Sequence, residues 1–272
     1  MIIDAHLHCS GRETSTEVLR TLDEAGVDMA VLLAPFLTPP YSLHDAESLR
    51  ASNAHLAKLI AGHEDRLIGF AVVNPLHESA ADDLAAALER SGVRGLKTVP
   101  TGWYPYDPRA HRVYEIAARA GAPCLFHSGI FIDGTSGRYC RPSFFEAIRE
   151  HPRLRATLAH LGWPWCDEAI AVGLIDLLHG RSAHERQFRF DLSFGPPPPY
   201  RERVFADALG VLGSAMLQYG SDAFLPCEAA RLRRGIEETR AVLEAVGASA
   251  EDHANIFHQT AAQWLSGAPA AP

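Results

Sequence analysis

The sequence predicts an α/β protein, a single (β/α)8 barrel of the TIM type, and three observations carry that expectation. Eight short β-rich runs alternate with helical stretches along the 272 residues. Most of these runs are continuously apolar, as strands buried on both faces of a parallel sheet are. Histidine and aspartate gather at the ends of several runs, where a barrel of this architecture carries its chemistry.

The runs cover residues 2–8, 28–35, 67–75, 95–100, 123–129, 155–162, 188–194 and 216–224, each ending in proline, glycine or a polar or aromatic residue. Between them the clearest helical stretches are 16–25, entered through Thr14 and Ser15 and stopped at Gly26; 80–90, stopped at Ser91-Gly92; 109–120, stopped at Gly121; and 143–150, stopped before Pro152. Residues 193–200, Ser-Phe-Gly-Pro-Pro-Pro-Pro-Tyr, read as a stiff polyproline loop capping the seventh strand. An open doubly wound sheet is the competing architecture, but no glycine-rich nucleotide turn follows the first strand. No linker or composition shift divides the chain, so residues 1–267 are read as one domain and 268–272 as a frayed tail.

Composition narrows the function. With 33 acidic against 25 basic residues the formal charge is -8, and no Lys/Arg run tracks a phosphate backbone, so nucleic acid is not an expected partner. The apolar runs fall far short of the roughly 18 residues a bilayer requires, and the first residues show neither a basic leader nor a cleavage site. Cys9, Cys124, Cys140, Cys166 and Cys227 are scattered, odd in number and contain no C-x-x-C pair. A disulfide framework and a thiolate zinc knuckle are both disfavoured, and a reducing cytoplasm is the expected compartment.

The chemistry-bearing residues fall into four strand ends: Asp4-Ala5-His6-Leu7-His8, Phe126-His127-Ser128-Gly129, Ala159-His160-Leu161-Gly162 and Gly220-Ser221-Asp222. His6 and His8 alternate along a strand, so they point the same way and can share one metal ion. A single histidine at a strand end is ordinarily hydrogen-bonded structure, and an Asp after Gly-Ser often caps a turn. Five such residues brought to one rim are harder to explain as coincidence. There is no G-x-S-x-G elbow, no phosphate loop and no H-E-x-x-H helix.

The ordered set Asp-x-His-x-His, Gly-Leu-Lys (ending at Lys97), Phe-His-Ser-Gly, Ala-His-Leu-Gly and Gly-Ser-Asp resembles the amidohydrolase superfamily, in its amidohydrolase-related branch. That branch also contains decarboxylases of the aminocarboxymuconate-semialdehyde type. The resemblance implies one divalent metal held by His6, His8, His127 and Asp222, with zinc ahead of manganese or iron, and His160 as a catalytic imidazole. Imidazole and carboxylate donors without thiolate suit those ions, and an open coordination position brings bound water to a pKa of roughly 7. Asp222 then takes the proton of that water and returns it to the leaving group.

Lys97 has three readings: a carboxylated lysine bridging two metals, as in some superfamily members; an ammonium binding a substrate carboxylate; or a side chain snorkelling to the rim. Arg138 or Arg141, in the long loop after the fifth strand, would clamp a carboxylate, or else be solvated surface residues. Trp163 and Trp165, with Trp103, Tyr104 and Tyr106, offer aromatic walls or lid packing. Cys9 reads as a small buried thiol.

The expected function is metal-dependent hydrolysis of a small amide, lactone or related bond. The alternatives are non-oxidative decarboxylation of a small carboxylic acid and a non-catalytic ligand- or metal-binding barrel. The expected partner is a small, carboxylate-bearing substrate, and a homodimer is compatible with the composition. Because His6, His8 and His127 bind metal only when neutral, metal affinity is expected to fall as pH drops through about 6.

Overall fold

In the computed structural model, which describes residues 1–266, parallel strands alternate with helices around a barrel. In chain order these are β1 (Ile3–His8), α1 (Ser15–Ala25), β2 (Met29–Leu33), α2 (Ala46–Ile60), β3 (Leu67–Val72), α3 (Ala80–Leu88), β4 (Val93–Thr98), α4 (Pro108–Ala120) and β5 (Pro123–Phe126). A 3-10 helix, Pro142–Glu150, leads to β6 (Arg155–Leu158), α5 (Cys166–Leu178), β7 (Phe188–Asp191), α6 (Pro198–Leu212), β8 (Leu217–Gln218) and β9 (Ala223–Phe224). Helices α7 (Ala229–Ala245), α8 (Ala250–Ala254) and α9 (Thr260–Ser266) follow.

β8 and β9 are two halves of one interrupted eighth strand. Leu217 and Gln218 pair with Phe190 and Asp191 of β7, whereas Ala223 and Phe224 pair with Leu7 and His8 of β1. Across the interruption the Ala5 N–H donates to Tyr219 O at 3.1 Å and the Asp222 N–H to His6 O at 2.8 Å. These bonds close the barrel and leave it no free edge at the seam.

Local chemistry explains the element boundaries. α1 opens on a capping box between Thr14 and Glu17, and α4 opens on Asp107 with Pro108 in its first turn. Both stop at glycines in the left-handed region, Gly26 (φ 74) and Gly121 (φ 63).

One register shift aims the site. Between Asp4 and Leu7, β1 advances three residues while β2 advances two, from Ala30 to Leu32. Ile3 and Ala5 therefore pack inside the barrel with Val31, Leu33 and Phe70, but Leu7 packs outward against the helices. The extra residue inverts the alternation and turns His6 and His8 inward at the C-terminal end of the strand. At the opposite end Trp264 of α9 plugs the barrel, its ring 5.1 Å from that of Phe70.

The structure ends the second to seventh expected strands two to four residues early, breaks the eighth and changes two other elements. Residues 155–162 leave strand geometry after Leu158, because His160 and Leu161 adopt φ of 60 and 46. The run 188–194 ends as a strand at Asp191, and 216–224 is broken at Tyr219–Asp222. The stretch 143–150 is 3-10 rather than α-helical. The polyproline stretch is only partly a loop: Pro198 and Pro199 begin α6, where a missing N–H costs nothing. The expected tail at 268–272 lies outside the described residues. Among the described residues no helix is long and apolar enough to cross a membrane.

Candidate metal centre

His6 and His8 are buried at the end of β1, and their Nε2 atoms stand 3.2 Å apart. Asp222 completes a triangle, with Oδ1 3.3 Å from His6 Nε2 and 3.1 Å from His8 Nε2. The break in the eighth strand makes this possible, since Asp222 turns in at φ 51, a conformation that Asp tolerates better than most residues. Asp4 fixes the two segments to each other by accepting the N–H groups of His6 (3.1 Å) and Ser221 (2.9 Å). Burial pushes its carboxyl up to about 6.

Two donors held at 2.0–2.1 Å by one tetrahedral ion lie about 3.3 Å from each other. The three separations in the triangle match that spacing. His127, at the end of β5, stands outside the triangle, stacked on Phe131 with ring centroids 4.2 Å apart and edge-on to His160 at 5.1 Å. Its Nε2 is buried and has no hydrogen-bond partner among the described residues. An orphaned buried nitrogen costs about 1–3 kcal/mol and calls for a functional explanation. Neutral imidazoles, a carboxylate and the orphaned nitrogen together fit a divalent cation.

The electrostatics keep these donors ready. Burial, with Lys97 adding to it, holds His6 down to about 4; His8 and His127 are likewise held below the ordinary imidazole value, burial first. Burial by itself would raise Asp222, but His6, His160 and His8 outweigh it and keep the carboxyl well below its usual range. Lys97 is buried rather than snorkelling to the rim, and its Nζ lies 3.3 Å from His6 Nε2. Desolvation lowers its amine to about 8, against the opposing pull of Asp222 and Asp191.

Asp191, at the end of β7, was missed by the sequence reading, which ran that strand on to residue 194. Its Oδ2 accepts Nδ1–H of His6 at 2.9 Å, leaving His6 Nε2 bare for the site. Its Oδ1 accepts the backbone N–H groups of His160 (2.8 Å) and Ser193 (3.0 Å) and the Ser193 hydroxyl. His6, at the head of the chain, and His160, in the turn after β6, thus lean on one carboxylate.

These groups form the floor of a cavity of about 650 Å³, within the range of small-molecule sites. His8, Lys97, His127, His160 and Asp222 line it below, and Phe36, Phe131, Trp163, Phe194 and Phe224 form aromatic walls. Trp163 is thus among the lining residues. Arg138 is not: Ser136 caps the 3-10 turn Gly137–Tyr139, and Arg138 turns outward onto Tyr139, exposed and away from the cavity lining. Arg141 is drawn off by Glu168 and lies over Trp165. The arginine that does line the cavity is Arg201 of α6, its Nε donating to Pro196 O at 2.9 Å. Trp103 is buried in the core, and Tyr104 and Tyr106 stack on each other at 5.0 Å outside the cavity lining. Cys9 is a buried core thiol, its pKa raised by burial.

Comparison with known proteins accords with this geometry. The family model described as Amidohydrolase matches residues 3–266. Among solved structures, 5-carboxyvanillate decarboxylase LigW from Sphingomonas paucimobilis superposes with a TM-score of 0.63 at 19% identity, over 94% of this chain and 98% of that one. The 5-carboxyvanillate decarboxylase of Novosphingobium aromaticivorans, complexed with manganese and 4-hydroxy-3-methoxy-5-nitrobenzoic acid, gives 0.66 at 15% identity, covering 98% and 96%. A probable 2-pyrone-4,6-dicarboxylic acid hydrolase from Acinetobacter baumannii with citric acid bound gives 0.65 at 14% identity, covering 97% and 99%. At these identities the likeness speaks for the fold. None of the curated proteins compared with the chain matches it in sequence. A barrel whose strand ends converge on histidines and an aspartate, matched almost end to end by one family model, belongs to the amidohydrolase family of metal-dependent enzymes.

Proposed function

We propose that this protein is a hydrolase of small, planar, carboxylate-bearing molecules, with His6, His8, His127 and Asp222 holding one divalent ion, zinc ahead of manganese or iron. The observation that carries the reading is the 3.1–3.3 Å triangle of His6, His8 and Asp222 donor atoms beside the orphaned His127 Nε2. When bound, the ion supplies Lewis acidity, polarising a substrate oxygen and lowering the pKa of water to about 7.

The chain's own groups supply the rest. Asp222, kept ionised by its histidine neighbours, accepts the proton of the attacking water and returns it to the leaving group. His160 lines the cavity and serves as a second proton acceptor there. Lys97 on the floor and Arg201 on the wall offer positive charge to a substrate carboxylate, a role expected from the sequence of Lys97 and of Arg138 or Arg141. Phe131 and Trp163 face the cavity from the walls, where flat rings pack well against a planar substrate.

The apolar walls favour a second reading, non-oxidative decarboxylation. A carboxylate held among aromatic rings loses hydration, which raises its energy relative to neutral CO₂. The test is to load the metal-free protein separately with zinc, manganese and iron and offer aryl carboxylates and the corresponding lactones and esters in oxygen-18-labelled water. Label entering the product supports hydrolysis, and CO₂ release without label supports decarboxylation. No turnover with any of the three metals would sink both readings and leave a binding barrel.

A further inference from the structure

The hydrogen bonds around Asp191 fix where the protons sit on His160. Asp191 is fully buried, and its Oδ1 accepts the backbone N–H groups of His160 (2.8 Å) and Ser193 (3.0 Å). An oxygen that already accepts two N–H groups carries no proton of its own, so its third contact, with the Ser193 hydroxyl, is one it also accepts. The Ser193 hydroxyl has a single hydrogen, and its contact with Asp191 Oδ1 consumes it. Ser193 Oγ also lies 2.8 Å from His160 Nδ1. With its own hydrogen spent, Oγ accepts in this second contact, so Nδ1 of His160 carries a proton. The other ring nitrogen, Nε2, has no protein partner among the described residues, yet it is not among the occluded polar atoms as His127 Nε2 is. It opens towards the cavity that the His160 ring lines.

We propose that Ser193 is a positioning residue which, through Asp191, locks neutral His160 as its Nδ1–H tautomer, presenting a bare Nε2 to the substrate cavity. The same carboxylate imposes the same tautomer on His6 through the 2.9 Å bond to its Nδ1. One aspartate thus sets the proton-free face of a candidate metal ligand and of the neighbouring acid–base histidine. The surroundings hold the ring in place: a Cβ added at Gly195 would come within 2.7 Å of His160 Cβ. Ser193 itself is buried, so water does not readily substitute for its hydroxyl.

The tautomer does not depend on whether the reaction is hydrolysis or decarboxylation; only its use in proton transfer rests on the proposed function. It is read directly by long-range proton–nitrogen correlation NMR on protein labelled with ¹⁵N-histidine, well above the ordinary imidazole pKa of about 6.5. His160 is assigned by the signals missing from His160→Gln. The expected result is a pyrrole-type Nδ1 and a pyridine-type Nε2. Ser193→Ala shifts both signals towards the opposite tautomer, and Ser193→Thr, which keeps the hydroxyl, restores the wild-type pattern. Zinc binding, followed alongside, stays within about threefold of wild type in Ser193→Ala, showing the triangle intact. A protonated Nε2 in the wild type, or an unchanged His160 pattern in Ser193→Ala, would overturn the proposal. Turnover enters none of these readouts, so failure of the hydrolase reading leaves them standing.

Discussion

Lys97 Nζ lies 3.3 Å from Nε2 of His6, and both side chains are buried. Since His6 gives its Nδ1 proton to Asp191, Lys97 donates to the lone pair that a metal ion would take. Lysine and metal therefore compete. Replacing Lys97 with Met keeps the volume and removes the buried charge, so zinc affinity near pH 7 should rise by about tenfold or more, roughly 1.4 kcal/mol. The melting temperature of the metal-free protein should rise with it. Chelator competition measures the first and calorimetry the second. Weaker zinc binding in Lys97→Met would mean that the lysine helps hold metal, as a carboxylated bridging lysine does.

Asp222→Asn separates the carboxylate's charge from its shape. Asn tolerates the left-handed region as Asp does, so the turn at φ 51 is preserved and the chain should still fold, with the metal-free melting temperature lowered by several degrees because the ionised carboxylate is favoured in the folded site. The amide neither carries charge nor takes a proton. Turnover of whichever substrate the labelled-water screen identifies should fall by about a thousandfold or more. Near-normal turnover in this variant would remove Asp222 from the acid–base role.

The buried histidines set the acid limit of the metal-free protein. His6 is held down to about 4, and His8 and His127 also lie below the 6.5 near which they titrate when unfolded. Between those limits the unfolded chain binds more protons, so stability falls as pH drops from about 6.5 towards 4. Asp4 acts in the opposite sense: with its folded pKa raised to about 6, it adds stability as pH falls from there towards its unfolded value. Three histidines against one aspartate leave a net loss, and the melting temperature should drop by about 5–10 °C between pH 7 and pH 5. Desolvation also shifts the expectation of metal release near pH 6, because imidazoles that resist protonation should retain zinc to about pH 5. A flat melting profile, or zinc lost by pH 6, would contradict the burial argument.

The barrel was legible because buried parallel strands are continuously apolar and end abruptly, and because His6, His8, His127, His160 and Asp222 all fall at such ends. What sequence reasoning missed depends on contacts between distant segments. Nothing local in residues 3–8 signals the extra residue that turns His6 inward; it appears only in the register with β2. Asp191 lay inside the expected run 188–194 as one more polar residue until the fold ended the strand there and brought it 2.9 Å from a residue 185 positions away. Arg138 was nearer in sequence to His127 than Arg201 was, but a capped turn aims it outward, while a helix beginning at Pro198 carries Arg201 to the cavity. Loop direction follows from turn chemistry and packing, which residue type alone does not encode.

Gly220 tests whether the seam of the barrel positions the site. A Cβ built on Gly220 would lie 2.7 Å from His6 Cβ, closer than unstrained atoms pack. His6 has no slack to absorb this: it lies in a strand, its Nδ1 is tied to Asp191, and the Asp222 N–H is bonded to its carbonyl. Gly220→Ala should therefore displace the His6–Asp222 pair, lowering zinc affinity by about tenfold or more and destabilising the metal-free protein by about 1–3 kcal/mol. Gly210, exposed in α6 with nothing near its would-be Cβ, is the matched control. There the same exchange removes backbone freedom from the unfolded chain and should stabilise by about 0.5–1 kcal/mol with zinc affinity unchanged. Opposite signs for one chemical change would locate the effect in the space beside His6, whereas equal responses at the two glycines would mean that the seam tolerates a methyl group and does not set the ligand geometry.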